Sequence, residues 1–109
     1  MNEFDRLRYA ACLRHREYPG AKAITPAFRG VELAGEVGEA CNIIKKLERE
    51  RLGIAGSRAS VSELAAELAD IIICVDLLAM DYDIELWPMV VDKFNASSMK
   101  LELKTRLAK

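Results

Sequence analysis

The sequence contains few of the side chains that form disulfides or bind transition metals. It has one histidine, His15, and three cysteines, Cys12, Cys41 and Cys74, which stand far apart in apolar surroundings. An odd number of separated cysteines matches neither a disulfide framework nor the ligand spacing of a zinc site. We therefore interpret the cysteines as small buried side chains in a reducing compartment, and His15 as a surface or helix-end residue.

Long apolar runs and an excess of positive charge are also missing. The most apolar stretch, LADIIICVDLLAM, is interrupted by Asp70 and Asp76 and is too short to span a bilayer, and the charged amino-terminal segment does not resemble a secretion signal. The 16 basic and 17 acidic side chains give a formal net charge of -1. Such a balance provides no basic field for a nucleic-acid polymer. We expect a cytoplasmic protein with neither a membrane nor a nucleic-acid partner.

Helical signals recur along the chain, and no strand pattern of period two interrupts them. The first predicted helix covers residues 2–18 and stops at a Pro-Gly pair. Thr25 and Pro26 are a capping residue followed by proline at the first helical position, and they predict a second helix that runs to residue 52.

The second half of the chain predicts two further helices. Ser60 and Glu63 form a capping-box pattern that opens a third helix, which runs to residue 82. Asp83 is the expected cap of a fourth helix that ends at residue 94 or 100, with Pro88 in its early part. The chain of 109 residues is long enough for one core. We predict a single all-α domain over residues 1–109, a bundle of four to five helices around two long antiparallel ones.

The central apolar stretch of the third predicted helix, IIICVDLLAM, is apolar on more than one side. A helix that is apolar around most of its circumference is buried from several directions, which a domain of this size cannot supply alone. We therefore expect a homo-oligomer, either a dimer or a tetramer.

Two similar acidic strings, ELAGEVGEA from residue 32 and ELAAELADI from residue 63, lie 31 positions apart. At about 100° per residue the acids of each string share one narrow stripe of their helix. The first stripe consists of Glu32, Glu36 and Glu39, and the second of Glu63, Glu67 and Asp70. If the two helices run antiparallel, the stripes face each other.

The acidic stripes have no basic residues beside them. Lysine and arginine are absent from residues 31–42 and 61–92, so the acids have no helical neighbour with which to form ion pairs. Carboxylates that converge in an apolar groove repel one another unless a cation neutralises them. Oxygen ligands without histidine or cysteine select Mg²⁺, with Mn²⁺ or Ca²⁺ as alternatives. A di-iron centre needs Glu-x-x-His on two helices, which this sequence lacks.

The arrangement Glu36-x-x-Glu39, followed after 27 residues by Glu67-x-x-Asp70, resembles the MazG-like all-α nucleoside triphosphate pyrophosphohydrolases. The strings GEVGEACNIIKKLERERLG, ELADIIICVDLLA and KFNASSMK are also similar to small members of that family. The resemblance covers residues 32–100. The family usually has two adjacent glutamates in the first motif, and Gly35 takes the place of the first one here.

The resemblance implies Mg²⁺-dependent hydrolysis between the α- and β-phosphates of a nucleoside triphosphate, which gives a monophosphate and pyrophosphate. It implies that the metal ligands are Glu36, Glu39, Glu67 and Asp70, and that Glu36 or Glu39 acts in catalysis as the base for the attacking water. The substrate would be a standard, deoxy or non-standard nucleotide in pool cleaning, and phosphoribosyl-ATP is an alternative.

Three further residues are candidates for substrate binding. Lys46 follows Glu39 by seven positions and returns to the acidic stripe, although a solvated position near the helix end explains it equally well. Lys93 and Asn95 match positions of the resembled family that face the substrate.

A second function class remains open at this stage. A non-catalytic helical oligomer, an interaction module, would use the same acidic face to bind a basic partner. Stabilisation of the folded protein by Mg²⁺ distinguishes the enzyme from this module.

Overall fold

Four α-helices and one short 3₁₀ turn make up the fold, which a computed structural model describes for residues 1–109. The helices are α1 (Glu3–Glu17), α2 (Pro26–Arg51), α3 (Val61–Asp81) and α4 (Leu86–Lys100), and the 3₁₀ turn at Ala21–Ala23 lies between α1 and α2. No strand is present. The all-α prediction is therefore confirmed. None of these helices combines the length and apolar character that crossing a membrane requires.

Side-chain caps start α2 and α3 where the sequence predicts. The Thr25 hydroxyl accepts a hydrogen bond from the backbone N–H of Phe28 at 3.1 Å, and Pro26 occupies the first turn of α2. Ser60 and Glu63 form a complete capping box, in which each side chain accepts from the backbone N–H of the other. The carboxylate of Glu63 is consequently used in the cap of α3 and not in the acidic groove described below.

The loop between α2 and α3 depends on one glycine. Gly56 has φ 136°, and a Cβ there would lie only 2.8 Å from the Arg49 guanidinium. That guanidinium donates to the backbone carbonyl of Ser57 at 2.9 Å and so fixes the loop against the end of α2. The positive φ favours glycine at this position, and a side chain here would also have to displace Arg49.

The start of the fourth helix corrects the sequence prediction, because Asp83 does not cap α4. Asp83 has φ 54° and its N–H donates to Met80, while the N–H of Ile84 donates to the carbonyl of Ala79 at 2.9 Å. These two bonds are the Schellman arrangement that closes the carboxyl end of α3. The cap position of α4 falls two residues later, at Glu85.

Pro88 does not kink α4, since it is the third residue of the helix. Backbone N–H groups in a first helical turn have no partner within the helix, so proline removes no hydrogen bond there. The predicted alternative end at residue 100 agrees with the observed bounds of α4.

Packing within the chain is centred on α2 and α3. These two helices contact each other along much of their length, α1 packs on α3, and α4 contacts the rest of the fold mainly through α1. The fully buried apolar residues are small, and they are Ala11, Ala40, Cys74, Ala79 and Val91. The single chain therefore has a thin core.

Two buried ion pairs tie α1 and the ends of α2 and α3 together. Arg8 of α1 contacts Asp76 of α3 at 3.0 Å and also donates to the backbone carbonyl of Ile84 at 2.7 Å. Arg29 of α2 is buried, with its Nε 3.2 Å from Asp81 and its Nη2 3.2 Å from Nδ1 of His15. Charged groups that leave water need such partners, so these contacts fix how the helices meet.

Replacement of Arg8 by methionine should destabilise the protein strongly. The Asp76 carboxylate is almost completely buried, and without Arg8 it would be a buried charge with no counterion. Breaking a buried pair in this way costs about 3–5 kcal/mol, which urea unfolding followed by circular dichroism would measure.

The matched control is Arg6→Met, two residues before Arg8 in the exposed part of α1. Arg6 pairs with Glu3 at 3.3 Å in the solvent, and exposed pairs contribute about 0–1 kcal/mol. Equal losses from the two substitutions would contradict a structural role for the buried pair.

Candidate functional site

Three carboxylates converge in the groove between α2 and α3. Glu36 projects from α2, and Glu67 and Asp70 project from α3, with carboxylate oxygens that all lie within 4.8 Å of one another. Glu36 and Glu67 are half-buried and Asp70 is exposed at the mouth of the groove. The structure therefore brings together one acid of the first predicted motif and both acids of the second.

Early residues of α2 contact late residues of α3, and these contacts determine which acids meet in the groove. Arg29 contacts Asp81, Glu32 accepts a hydrogen bond from Cys74 at 3.7 Å, and Glu36 meets Glu67 and Asp70. Between successive contacts, the position on α2 moves about one turn towards its carboxyl end. The position on α3 moves one to two turns towards its amino end. The acids thus meet near the middle of the helices, away from their solvated ends.

Mutual repulsion and loss of hydration raise the proton affinity of two of the acids. Burial raises the pKa of Glu36 above its ordinary value of 4.5, and the charges of Glu39 and Asp70 raise it further, although a hydrogen bond with Glu67 opposes them. The pKa of Glu67 is raised by burial, by a hydrogen bond with Glu39 and by the charges around it. The groove therefore disfavours its own negative charge and favours an added cation.

Cys74 lies beside the same groove but is not suited to metal binding. Burial raises the pKa of its thiol to about 11, and the nearby carboxylates of Glu32 and Glu36 add to this effect. The thiol donates a hydrogen bond to Glu32 and is almost fully buried. Because only a thiolate is a good ligand, Cys74 acts as a small packed side chain, as the sequence predicts. The prediction of buried cysteines is wrong for Cys41, which is exposed, and Cys12 is only half-buried.

The donor set fits a hard divalent cation. One oxygen of Glu36 and one of Glu67 are shielded from solvent and have no hydrogen-bond partner, so each has a lone pair available. Three carboxylate oxygens that lie within 4.8 Å of one another could be brought onto one such ion by rotation of their side chains.

Two other predicted site residues lie on α2. Glu39 is close to the three grouped acids, and Lys46 lies further along the helix. Glu39 is exposed and lies outside the group of three, yet it is near enough for its charge to raise the pKa values of both Glu36 and Glu67. Lys46 is half-buried two turns further along α2, with no ion-pair or hydrogen-bond partner in the chain. Its substrate-binding role stays a prediction.

The predicted substrate residues of α4 have neighbours other than the acids. Lys93 is exposed in a shallow groove of α4 with Met89, Phe94 and nearby residues. Asn95 accepts from the backbone N–H of Leu107 at 2.7 Å and donates to its carbonyl at 2.9 Å. Within one chain the Asn95 amide thus holds the carboxyl-terminal segment, and substrate binding by Lys93 and Asn95 stays a prediction.

A cavity of about 340 Å³ opens beside the acidic groove, between the end of α1 and the start of α2. Glu32, one turn before Glu36, belongs to its wall together with a set of basic and aromatic side chains. That set comprises Arg14, His15, Tyr18 and Arg29. The sequence offers no spacing rule that joins α1 to α2, so it did not identify these cavity residues.

Comparisons with known proteins do not assign the chain to a family. No protein-family model matches it, and neither the curated proteins nor the solved structures provide a match. The functional conclusion therefore depends on the geometry of the groove and on the motif resemblance.

The acidic groove should make the metal-free protein less stable as the pH rises. Because the pKa values of Glu36 and Glu67 are raised in the folded state, the folded protein binds these two protons more tightly than the unfolded chain does. The stability from these protonated acids is fully present below pH 4.5 and is lost as the pH rises through the raised values.

The measurement is urea unfolding in chelator between pH 4.5 and pH 7. Glu67→Gln should become progressively more stable than the wild type over this range, since it removes a charge from the groove. Glu63→Gln, in the exposed cap, is the control and should follow the wild type. A constant difference between wild type and Glu67→Gln at all pH values would contradict the repulsion.

Proposed function

We propose that the protein is a Mg²⁺-dependent nucleoside triphosphate pyrophosphohydrolase, with Mn²⁺ as an alternative ion. The observation that carries the proposal is the convergence of Glu36, Glu67 and Asp70 in one groove, with unpartnered shielded oxygens on two of them. Helical structure throughout the chain supports the proposal, because the resembled family is all-α.

The roles of the acids follow from their positions. Glu36, Glu67 and Asp70 would hold the ion, because their oxygens are the ones grouped within 4.8 Å. When bound, Mg²⁺ shields the triphosphate charge and lowers the pKa of water. We infer that Glu39, which is exposed and acts by its charge on Glu36 and Glu67, takes the proton of the attacking water. The water oxygen would bond to phosphorus as the P–O bond to the leaving pyrophosphate breaks.

The cavity beside the groove has the chemistry that a nucleotide requires. The exposed guanidinium of Arg14 has no ion-pair or hydrogen-bond partner within the chain and is available to a phosphate oxygen. Tyr18 offers an aromatic face for a base, and Ile24 and Leu77 supply an apolar floor. A nucleotide in this cavity would direct its phosphates past Glu32 towards the acids.

The proposal includes the arrangement in which the enzyme works. We infer that α2 and α3 are the long antiparallel pair at the centre of a homo-oligomeric bundle in the cytoplasm, either a dimer or a tetramer. The register of the contacts between the two helices supports the antiparallel arrangement.

The decisive experiment measures pyrophosphate release from the common ribonucleoside and deoxynucleoside triphosphates and from phosphoribosyl-ATP. Release should occur with Mg²⁺ and stop in chelator. In parallel, the thermal midpoint of the protein should rise with Mg²⁺ concentration, because an ion that binds only the folded state stabilises it. Release of orthophosphate alone, or none with any nucleotide, would refute the proposed reaction.

Glu36→Gln and Asp70→Asn should each lower pyrophosphate release at least about 100-fold, since each removes a proposed ligand. Both variants should remain folded, because each also removes repulsion from the groove. The matched control is Glu63→Gln, which alters an acid of the same helical stripe outside the cluster and should retain turnover.

The non-catalytic alternative predicts different results in these experiments. An acidic face that only binds a basic partner gives no pyrophosphate and no selective loss between the cluster variants and Glu63→Gln. A thermal midpoint that does not respond to Mg²⁺ would favour that alternative.

Arg14→Met should raise KM for the nucleotide and change kcat little, because a phosphate contact remote from the reacting bond acts mainly in binding. Steady-state kinetics would separate the two constants. Arg16→Met removes an exposed charge of the same helix turn outside the cavity lining and serves as the control. Equal effects of the two substitutions would place the nucleotide elsewhere.

A further inference from the structure

A second cavity, which we name the aromatic cavity, lies between α1, α3 and the start of α4. It has a volume of about 440 Å³, which falls in the range of about 300–1,000 Å³ that is usual for small-molecule sites. Its wall includes three aromatic side chains and three acids, which are Phe4, Tyr9, Trp87, Asp5, Asp76 and Glu85. None of them belongs to the acidic groove or to the cavity beside that groove.

Asp76 of α3 supplies this wall with a hydrogen-bond acceptor that the chain leaves without a donor. The residue is only 1% exposed. Arg8 contacts its Oδ1 at 3.0 Å, whereas its Oδ2 is shielded from solvent and has no hydrogen-bond partner. Buried polar atoms in folded proteins nearly always have a partner. An unpaired oxygen on a residue that lines a cavity therefore favours a ligand that carries a donor.

The side chains around the cavity carry an excess of negative charge. Arg8 is the one basic side chain among them, and its charge is already paired with Asp76. Asp5 accepts a hydrogen bond from the backbone N–H of Asn2 at 3.1 Å, and Glu85 makes no side-chain hydrogen bond at the cap position of α4. Neither of these two acids takes part in an ion pair. Three acids and one arginine thus leave two negative charges without a counterion.

The aromatic rings supply surfaces that attract an organic cation. The rings of Phe4 and Trp87 are stacked with their centroids 5.6 Å apart, and Tyr9 is 62% exposed. The face of an aromatic ring is partly negative and attracts ammonium groups. A bare metal ion fits less well, because it needs several oxygen ligands close together. The one group of acids that meets this need lies in the acidic groove.

We propose that the aromatic cavity binds a small aliphatic diamine. The methylene chain of the diamine contacts the aromatic rings, one ammonium group donates to the free oxygen of Asp76, and the other pairs with Glu85. The two positive charges of the ligand balance the two negative charges that the cavity leaves uncompensated. The proposal does not rest on the proposed function, because the aromatic cavity shares no residue with the acidic groove or with the cavity proposed for the nucleotide.

The test uses the fluorescence of Trp87, which is the only tryptophan of the chain and therefore reports on this cavity alone. Titration of the wild type with diaminobutane should give a saturable change in fluorescence. Butanediol, which has a similar shape but no charge, should give none. Excess Mg²⁺ at constant ionic strength should leave the Kd of the diamine unchanged, because the two ligands occupy different sites.

Two exposed wall residues provide variants that leave the fold intact. Glu85→Gln should raise the Kd of diaminobutane about tenfold, because it removes a charge-assisted hydrogen bond. Its control is Glu50→Gln, which alters an exposed acid in the last turn of α2 and should keep the wild-type Kd. Tyr9→Leu should raise the Kd about threefold through loss of a cation–π contact. Its control is Tyr82→Leu, which removes a tyrosine of similar exposure, 63%, outside the cavity.

Four results would overturn the proposal. They are the lack of a saturable response to diaminobutane, an equal response to butanediol, equal effects of Glu85→Gln and Glu50→Gln, and loss of the response in excess Mg²⁺. The last result would place the diamine in the acidic groove.

Discussion

Carboxylates from two helices approach one another in one partly shielded groove, and the contacts between these helices must overcome their repulsion. Glu36 from α2 and the pair Glu67 and Asp70 from α3 are held close enough to repel one another. This arrangement opposes folding, so it persists only because other contacts hold the helices in register. Arg29 does so at one end through Asp81 and His15, and the loop at Gly56 does so at the other. Repulsion of this kind would favour the binding of the proposed cation.

The same two helices have a second constraint, which explains why α3 is apolar around so much of its circumference. One side contacts α2, another contacts α1, and a third bears Leu68 and Ile72 in the solvent. The acidic side chains of α3 occupy the rest of its circumference. A helix with so little polar surface is typical of one that further contacts cover, as the proposed homo-oligomer would.

Local chemistry accounts for the parts of the fold that were predicted well. The caps at Thr25 and Ser60 depend on hydrogen bonds that span only three residues, so the residues within that span determine them. The mistaken cap at Asp83 has a related cause. A short polar side chain is suited both to starting a helix and to the left-handed position that ends one, and the carbonyls of α3 decided between these roles.

The sequence by itself determined the helices, the two acidic stripes and the lack of local partners for them, because each depends on spacing along one helix. It did not determine which acids meet. The tertiary structure decided that Glu36 joins Glu67 and Asp70, that Glu63 belongs to a cap, and that Arg14, Arg29 and Tyr18 line a cavity beside them. These outcomes depend on the rotation and register of one helix against another, which packing of the whole chain sets.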